Sequence, residues 1–197
     1  MRILVIETAT AACSVALIDD RQVVASDHAT VGRGHAERLM PMIAGLPGGG
    51  RADAIRVDCG PGSFTGIRVG LAAARALGFG WGIPVAGYSS LALIAATWFD
   101  LNDAAAATVV IEGGHGEVFA QTFAQMPFAA VDDLRSLPVE TATFSTSVLI
   151  GNAAHRFVAA PPGADAAPDA RNVVLLDLPL LPPRPLYGRS ADAKPMA

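Results

Sequence analysis

The stretch that decides the fold is Gly60-Pro61-Gly62-Ser63-Phe64-Thr65-Gly66-Ile67-Arg68-Val69-Gly70. It follows a predicted strand, Ala54 to Cys59, and opens a predicted helix, Thr65 to Phe79. Four glycines in eleven residues are costly for an ordinary turn, because each glycine loses more backbone freedom on folding than alanine does, by ~0.5–1 kcal/mol. We infer that a phosphate, the sheet or another helix approaches this backbone closely.

The glycine pattern does not match the common phosphate-binding loops. Free amides at the start of a helix attract anions, but the spacing G-x-G-x-x-x-G differs from the dinucleotide-binding G-x-G-x-x-G, and no Gly-Lys-Ser/Thr follows. The segment is not a G-x-S-x-G elbow either, because Pro61 stands where its first glycine is needed. Three alternatives stay open: a tight turn with Ser63 or Thr65 as helix cap, a role in binding a partner, and direct binding of a nucleotide.

Small residues recur at every fourth position of the predicted helix, at Gly66, Gly70, Ala74 and Gly78. They form one strip without bulky side chains, which lets another element approach near the short end of the ~8–10 Å range between packed helices. Packing inside the chain is the default explanation. The approaching element is the predicted helix 34–46, the sheet or another subunit.

Composition restricts the classes of function. Hydrophobic residues make up 52% of the 197 and charged residues 16%, which predicts a sizeable core and an apolar surface for a partner. The net charge of −4 without a Lys/Arg block argues against strong binding of nucleic acid by this chain alone. Two distant cysteines, Cys13 and Cys59, favour a reducing compartment and argue against a disulfide framework. The short apolar start ends at Glu7, so we expect no signal peptide, and no apolar run reaches the ~20 residues of a membrane span.

The periodicity of apolar residues predicts a mixed α/β sheet flanked by helices. In the first section we expect strands at 2–6, Ser14–Ile18, Gln22–His28, Ala54–Cys59 and Ile83–Ala86, and helices at 34–46, 65–79 and from a cap at Ser89 or Ser90 to Trp98. In the second we expect strands at Ala106–Glu112, Glu117–Phe123, Val148–Ile150 and Val173–Leu176, a linker at Ala159–Ala170 and an extended tail from Pro179. The Gly48-Gly49-Gly50 run is expected to be a flexible loop. The predicted domains are 1–98, 99–185 and a tail, 186–197.

Two acidic turns are candidate phosphate sites. Glu7 and Thr8 follow the first strand, which is where actin-like ATPases hold phosphate and magnesium, and Glu112 precedes Gly113 and Gly114 in the second section. Two such turns suggest two lobes facing each other across a cleft, although a solvated hairpin edge explains Glu7 equally well. The candidate nucleotide-binding residues are Glu7, Thr8, Gly60, Gly62, Ser63 and Glu112.

Neither metal binding nor nucleophilic catalysis is predicted. The four histidines, His28, His35, His115 and His155, are scattered, and the position four after His35 is Leu39 rather than a second histidine. Ser63 has no base nearby in the sequence. We therefore assign no catalytic residue and no metal ligand.

Several segments resemble the TsaB (YeaZ-type) family. Residues 3–17 are similar to its Asp-Thr-Ala-Thr and Cys-Ser-Val-Ala start, and 35–42 to its His-x-x-x-Leu/Ile-Leu/Met-Pro-Met stretch. Residues 60–70 match its Gly-Pro-Gly-Ser-Phe-Thr-Gly-Ile/Val-Arg signature, which is highly specific. Residues 111–119 and 185–189 resemble its Asp-Ala-Arg-x-Gly-Glu-Val-Tyr and Pro-x-Tyr-x-Arg segments. The resemblance is strong over roughly residues 1–98 and patchy beyond.

This resemblance implies an actin/Hsp70-like (RNase H-like) two-lobe fold with mixed sheets and a reduced second lobe. It implies a cytoplasmic, non-catalytic subunit that helps to form threonylcarbamoyladenosine beside the tRNA anticodon by binding and stabilising the catalytic paralogue TsaD, together with the ATPase TsaE. It further implies a homodimer in isolation, contact with tRNA only through the complex, and no membrane. No cofactor is assigned to this chain alone, with ATP and magnesium expected at most at the interface of the complex.

The resemblance places the partner surface on the two helices 34–46 and 65–79. We expect the strip of small residues to seat the partner, and Gly70→Leu to block pairing while leaving the monomer folded. The residues assigned to this interface are His35, Leu39, Met40, Ile43, Gly66, Ile67, Val69, Gly70, Ala73, Ala74 and Leu77.

The sequence departs from the family pattern at both acidic turns. Glu7 replaces the usual Asp, Glu112-Gly113-Gly114 replaces Asp-Ala-Arg, and connections after residue 125 are short. These departures argue against independent ATP turnover. The alternative function is an independent ATPase or small-molecule kinase of the actin-like superfamily, and a protease is disfavoured because no triad or histidine pair is present.

Overall fold

The computed structural model describes residues 1–157, 167–176 and 180–188. Within them, five strands form a first sheet in the order β3-β2-β1-β4-β5. Strands β1, β2 and β3 pair antiparallel, whereas β1, β4 and β5 run parallel. The strands are β1 (Arg2–Glu7), β2 (Ala12–Asp19), β3 (Gln22–Thr30), β4 (Ala54–Asp58) and β5 (Val85–Tyr88).

The central strand β1 is apolar from Ile3 to Ile6 because both faces of the sheet are covered there. On one face, Leu4 and Ile6 pack under helices α1 (His35–Gly45) and α2 (Phe64–Trp81). On the other, Ile3 and Val5 pack with residues of helix α3 (Ser90–Leu101) and of the short helical segment Ala170–Leu175. The sheet is therefore the middle layer of a three-layer arrangement.

A second sheet follows α3, in the order β10-β6-β7-β8, with β9 also paired to β7. Its strands are β6 (Ala106–Gly114), β7 (Glu117–Ala124), β8 (Ala129–Ala130), β9 (Arg135–Pro138) and β10 (Leu149–Ile150). Helix α3 packs on both sheets, since Leu93 lies in the core of the first and Leu91 and Trp98 in that of the second. The division of the chain at residue 98 stays a prediction.

The mixed α/β architecture and the element order of the first section are confirmed. Both caps are serines that the sequence had nominated. The Ser63 hydroxyl oxygen accepts from the Gly66 amide at 3.2 Å, and the Ser89 hydroxyl oxygen accepts from the Ala92 amide at 3.4 Å. Helix α2 ends at Gly82, whose positive φ of 68° suits glycine.

Several predictions in the second section are wrong. The apolar run Val173–Leu176 is not a strand, because Asp169 accepts a hydrogen bond from the Arg171 amide and starts a helical turn there. Strands β8 and β9 were not foreseen. In the first section, Gly48–Gly50 lies in a short turn, Pro47–Gly50, in which Gly48 and Gly49 have positive φ. Most of the predicted 159–170 linker and of the tail from 186 lies outside the described residues.

No helix within the described ranges is long and apolar enough to cross a membrane.

Candidate functional site

The Gly60 loop lies against the turn that follows β1. The Ser63 amide donates to the Ala9 carbonyl oxygen at 2.6 Å, and a Cβ on Gly62 would overlap the same oxygen. Gly60 has a φ of 94°, and a side chain there would meet Ile67. The close approach that the glycines predicted is therefore made by the chain itself.

The strip of small residues on α2 faces the first sheet. A Cβ on Gly66 would overlap the Thr8 carbonyl oxygen, and one on Gly70 the Thr8 hydroxyl. At the other end of the helix, a Cβ on Gly78 would overlap the side chain of Val85. The element that approaches this strip is the chain's own sheet, which is one of the three alternatives that the sequence left open.

Most of the residues assigned to a partner interface are consequently buried inside the chain. The side chain of His35, the first residue of α1, is buried, and its Nε2 lies 2.9 Å from the Thr10 carbonyl oxygen and 3.2 Å from that of Ala12. A Cβ at position 70 would overlap the Thr8 hydroxyl, which argues against the expectation that Gly70→Leu leaves the monomer folded. The buried residues are His35, Leu39, Ile43, Gly66, Ile67, Gly70 and Ala74.

The outer faces of α1 and α2 carry a different set of side chains. Met40 is exposed on α1, and Val69, Ala73 and Leu77 are half-buried on α2. Phe79, with 92% of its surface exposed, projects near the end of α2. Other exposed residues of the two helices include the small or charged Ala36, Glu37, Ala44, Arg68, Ala72, Arg75 and Ala76.

Residues 180–188 run beside α2 and close one edge of the first sheet. Leu181 forms paired backbone hydrogen bonds with Gly87 of β5, at 2.7 and 2.9 Å. Tyr187 packs on Phe64, and the Arg68 guanidinium lies 3.5 Å over the Phe64 ring while donating to the Tyr187 hydroxyl oxygen. These contacts join the start of α2 to residues 185–188, which belong to the segment that resembles the family's Pro-x-Tyr-x-Arg.

A buried pair of carboxyl groups lies under the Gly60 loop. Glu7 ends β1 and Asp58 ends the neighbouring parallel strand β4, and both are fully buried. One Glu7 oxygen accepts from the Ala9 amide at 2.8 Å, and the other lies 3.3 Å from the Tyr88 hydroxyl. Asp58 accepts from the Gly60 amide at 2.5 Å and from the Ser90 hydroxyl at 2.7 Å.

Burial decides the protonation of this pair. Loss of water raises the pKa of Glu7 well above its ordinary value, and the negative charge of Asp58 raises it further. Burial also raises the pKa of Asp58. The raised pKa favours the protonated form of Glu7, and we infer that its proton is donated to Asp58 Oδ2, which has no other hydrogen-bond donor among the described residues.

The structure thus brings five of the six nucleotide-binding candidates together and gives each an internal role. Glu7 and Thr8 bond within the chain, since the Thr8 hydroxyl donates to the Gly66 carbonyl oxygen at 2.8 Å. Glu112 lies apart, in the second sheet. There its carboxylate accepts from Arg156 at 2.7 Å and its amide donates to Asn152 at 2.9 Å.

Sequence reasoning missed Asp58, Tyr88 and Ser90. The one available signal was the position of Asp58, a carboxyl at the end of a strand parallel to β1 and directly before the glycine loop. Nothing in the local sequence indicated that Tyr88 reaches across to the end of β1, where its hydroxyl donates to the Ile6 carbonyl oxygen at 3.0 Å.

Comparison with known families finds a match over residues 23–129 to the family described as TsaD, tRNA N6-adenosine threonylcarbamoyltransferase. The chain is 39% identical, over 60% of its length, to the tRNA threonylcarbamoyladenosine biosynthesis protein TsaB of Escherichia coli. It is 37% identical, over 60% of its length, to TsaB of Haemophilus influenzae. The matches cover 53% and 52% of these relatives, so the chain spans about half the length of the curated relatives it matches.

Two solved structures share the fold over nearly the whole chain. YeaZ from Pseudomonas aeruginosa superimposes with a TM-score of 0.75 at 26% identity, covering 88% of this chain and 89% of that one. A protein described as uncharacterized, with similarity to peptidase YEAZ from Pseudomonas aeruginosa, gives a TM-score of 0.78 at 25% identity, covering 95% and 99%. These matches confirm the expected actin-like, RNase H-like fold class.

Proposed function

Because the chain belongs to the family described as TsaD, tRNA N6-adenosine threonylcarbamoyltransferase, and its relatives at 37–39% identity are TsaB proteins, we propose that it is a non-catalytic partner subunit in the biosynthesis of threonylcarbamoyladenosine in tRNA. In this proposal it binds and stabilises the catalytic paralogue TsaD, with TsaE, in the cytoplasm. It reaches the adenosine next to the anticodon only through that complex.

The observation that carries the non-catalytic role is the internal bonding of the first acidic turn. Glu7 is fully buried and bonds to its own backbone and to Tyr88, and a side chain on Gly62 would overlap Ala9. An independent ATPase or kinase would need Glu7, Thr8 and the Gly60 loop to face a nucleotide, so this arrangement argues against that alternative. We place ATP and magnesium, where they act, at the interface of the complex.

We place the partner surface on the outer faces of α1 and α2. Alanines at positions 36, 44, 72 and 76 are exposed there and leave room for a facing helix, while Met40 and Phe79 offer apolar anchors. The half-buried side chains of Val69, Ala73 and Leu77 lie between these anchors and the core, against which they pack. A stable interface of ordinary size buries ~1,600 Å² in total, and in the absence of TsaD we propose that a second copy of the chain uses the same surface.

The role in tRNA modification is tested by complementation. A bacterial strain depleted of its own TsaB receives this chain together with TsaD and TsaE of the same source, and the modified nucleoside in its tRNA is measured by mass spectrometry. We expect wild type to restore the modification. A folded, abundant chain that restores none would contradict the proposed function.

The same assay, carried out with the Glu7→Gln variant, distinguishes a non-catalytic partner subunit from an enzyme. This variant keeps the size and the uncharged state of the buried side chain, so we expect it to restore the modification as well as wild type does. A folded Glu7→Gln protein that abolished modification would instead make Glu7 part of the chemistry. Ala76→Glu, on the proposed surface, is the matched variant expected to fail.

A further inference from the structure

Arg56 is a half-buried cation on β4, between β1 and β5 of the first sheet. Its neighbours on β4, Ile55 and Val57, point into the core under α1 and α2, whereas Arg56 lies on the opposite face. Within residues 1–157, 167–176 and 180–188, its guanidinium has no hydrogen-bond acceptor and no ion-pair partner. Arginine stays protonated in proteins, so among the described residues no acidic group offsets the charge of this half-buried side chain.

The face that carries Arg56 opens into a cavity of about 280 Å³ between the two sheets. Its walls include Tyr88 from β5, Phe123 from β7, Leu134, and Leu186 from the segment beside α2. Among the described lining residues, Arg56 is the one that is charged. The cavity therefore combines one cationic group with mostly apolar walls, which is the composition of a site for a small molecule with an anionic end.

The electrostatics at Arg56 favour an anion. A charge held away from water in apolar surroundings is costly unless it is paired. Burial lowers the pKa of Arg56, and the positive charge of Arg21 lowers it further. Arg21 donates to the Val174 carbonyl oxygen and so adds a second cation near the same face. An anion beside Arg56 would offset both effects.

We propose that this cavity is a binding site for a small amphipathic carboxylate. The carboxylate accepts two parallel hydrogen bonds from the Arg56 guanidinium, the geometry that arginine offers to carboxylates. The apolar body of the ligand packs against Phe123, Leu134 and Leu186. The volume equals that of about nine water molecules at roughly 30 Å³ each, which suits a short carboxylic acid. The site is separate from the proposed partner surface.

The test compares octanoate with 1-octanol, which has the same chain without the charge. Isothermal titration of the full wild-type chain is expected to show octanoate binding at least about tenfold more tightly than octanol. In Arg56→Met, which keeps the apolar stem and removes the charge, the preference for octanoate is expected to disappear while octanol binds as before. Absence of octanoate binding to wild type, or an equal affinity for both ligands, overturns the proposal.

A second variant changes a residue in the cavity wall opposite Arg56. Leu134→Trp leaves Arg56 in place and fills the space that the apolar body would occupy, so it is expected to weaken both ligands by about tenfold or more. Full octanoate affinity in folded Leu134→Trp would place the binding elsewhere and overturn the proposal. The wild-type comparison of the two ligands decides the question even if a variant does not fold.

Discussion

The Thr8 hydroxyl donates a 2.8 Å hydrogen bond to the Gly66 carbonyl oxygen, joining the end of β1 to the first turn of α2. This bond requires the helix backbone to lie almost in contact with the strand. Gly66 and Gly70 both face Thr8, and a Cβ on either would overlap its atoms. The glycine spacing of the family signature is therefore explained by packing inside the chain, and the partner surface that we propose is the other side of the helix.

This packing makes opposite predictions for two glycines of the same helix. Gly66→Ala is expected to lower the free energy of unfolding by about 1–3 kcal/mol, because the added methyl group is forced against Thr8. Gly80→Ala is the matched control, since no atom lies within 4 Å of a Cβ there. It is expected to raise the free energy of unfolding by up to about 1 kcal/mol, as alanine favours helix more than glycine does. Urea denaturation measures both, and equal effects would contradict the packing.

The buried carboxyl pair predicts that stability falls as pH rises. The folded protein holds the Glu7 proton above the pKa of about 4.3 that glutamate has in an unfolded chain. The native state therefore binds more protons than the unfolded state from that pH up to the raised pKa of Glu7. Over this window the free energy of unfolding decreases, by up to about 1.4 kcal/mol per pH unit, and above it the contribution is lost.

Glu7→Gln removes this titration and keeps the neutral shape. Its free energy of unfolding is expected to vary less between pH 5 and pH 8 than that of wild type, and to exceed it at pH 8. Denaturation at both pH values provides the measurement. Parallel pH dependences for the two proteins would show that Glu7 is already ionised in the folded state.

Both cysteines are expected to be unreactive in the native protein. Cys13 and Cys59 are fully buried, and burial raises the pKa of each thiol to about 11. Since the thiolate is the reactive form, iodoacetamide at pH 8 should modify neither residue in the folded chain and both in urea, as read by mass spectrometry. Rapid labelling of the native protein at either cysteine would contradict the described packing.

The first sheet could be predicted because its signals are local. The apolar runs of β1 and β2 and the serine caps at Ser63 and Ser89 lie within a few residues of the elements they define. The glycine strip likewise predicted a close approach. Its spacing does not show which element approaches, so the sequence could not reveal that Gly66 and Gly70 pack against Thr8 of the same chain.

Long-range contacts account for what was missed. The inward position of Glu7 depends on Tyr88, 81 residues away in the sequence. Strand β9 is short and ends in a proline, so no periodic pattern marks it. The run Val173–Val174–Leu175 has the composition of a strand, but its helical conformation follows from the cap at Asp169 and from packing on the first sheet.

The central claim is that the outer faces of α1 and α2 bind TsaD. It is tested most directly by size-exclusion co-elution of TsaD with three forms of this chain. Wild type and Ala105→Glu, whose exposed site lies beside the second sheet, are expected to form the complex. Ala76→Glu is expected to unfold at the wild-type temperature and to lose the complex, because a partner would bury its new carboxylate without a counter-charge. Co-elution of Ala76→Glu indistinguishable from that of wild type, or no complex with wild type, would contradict the claim.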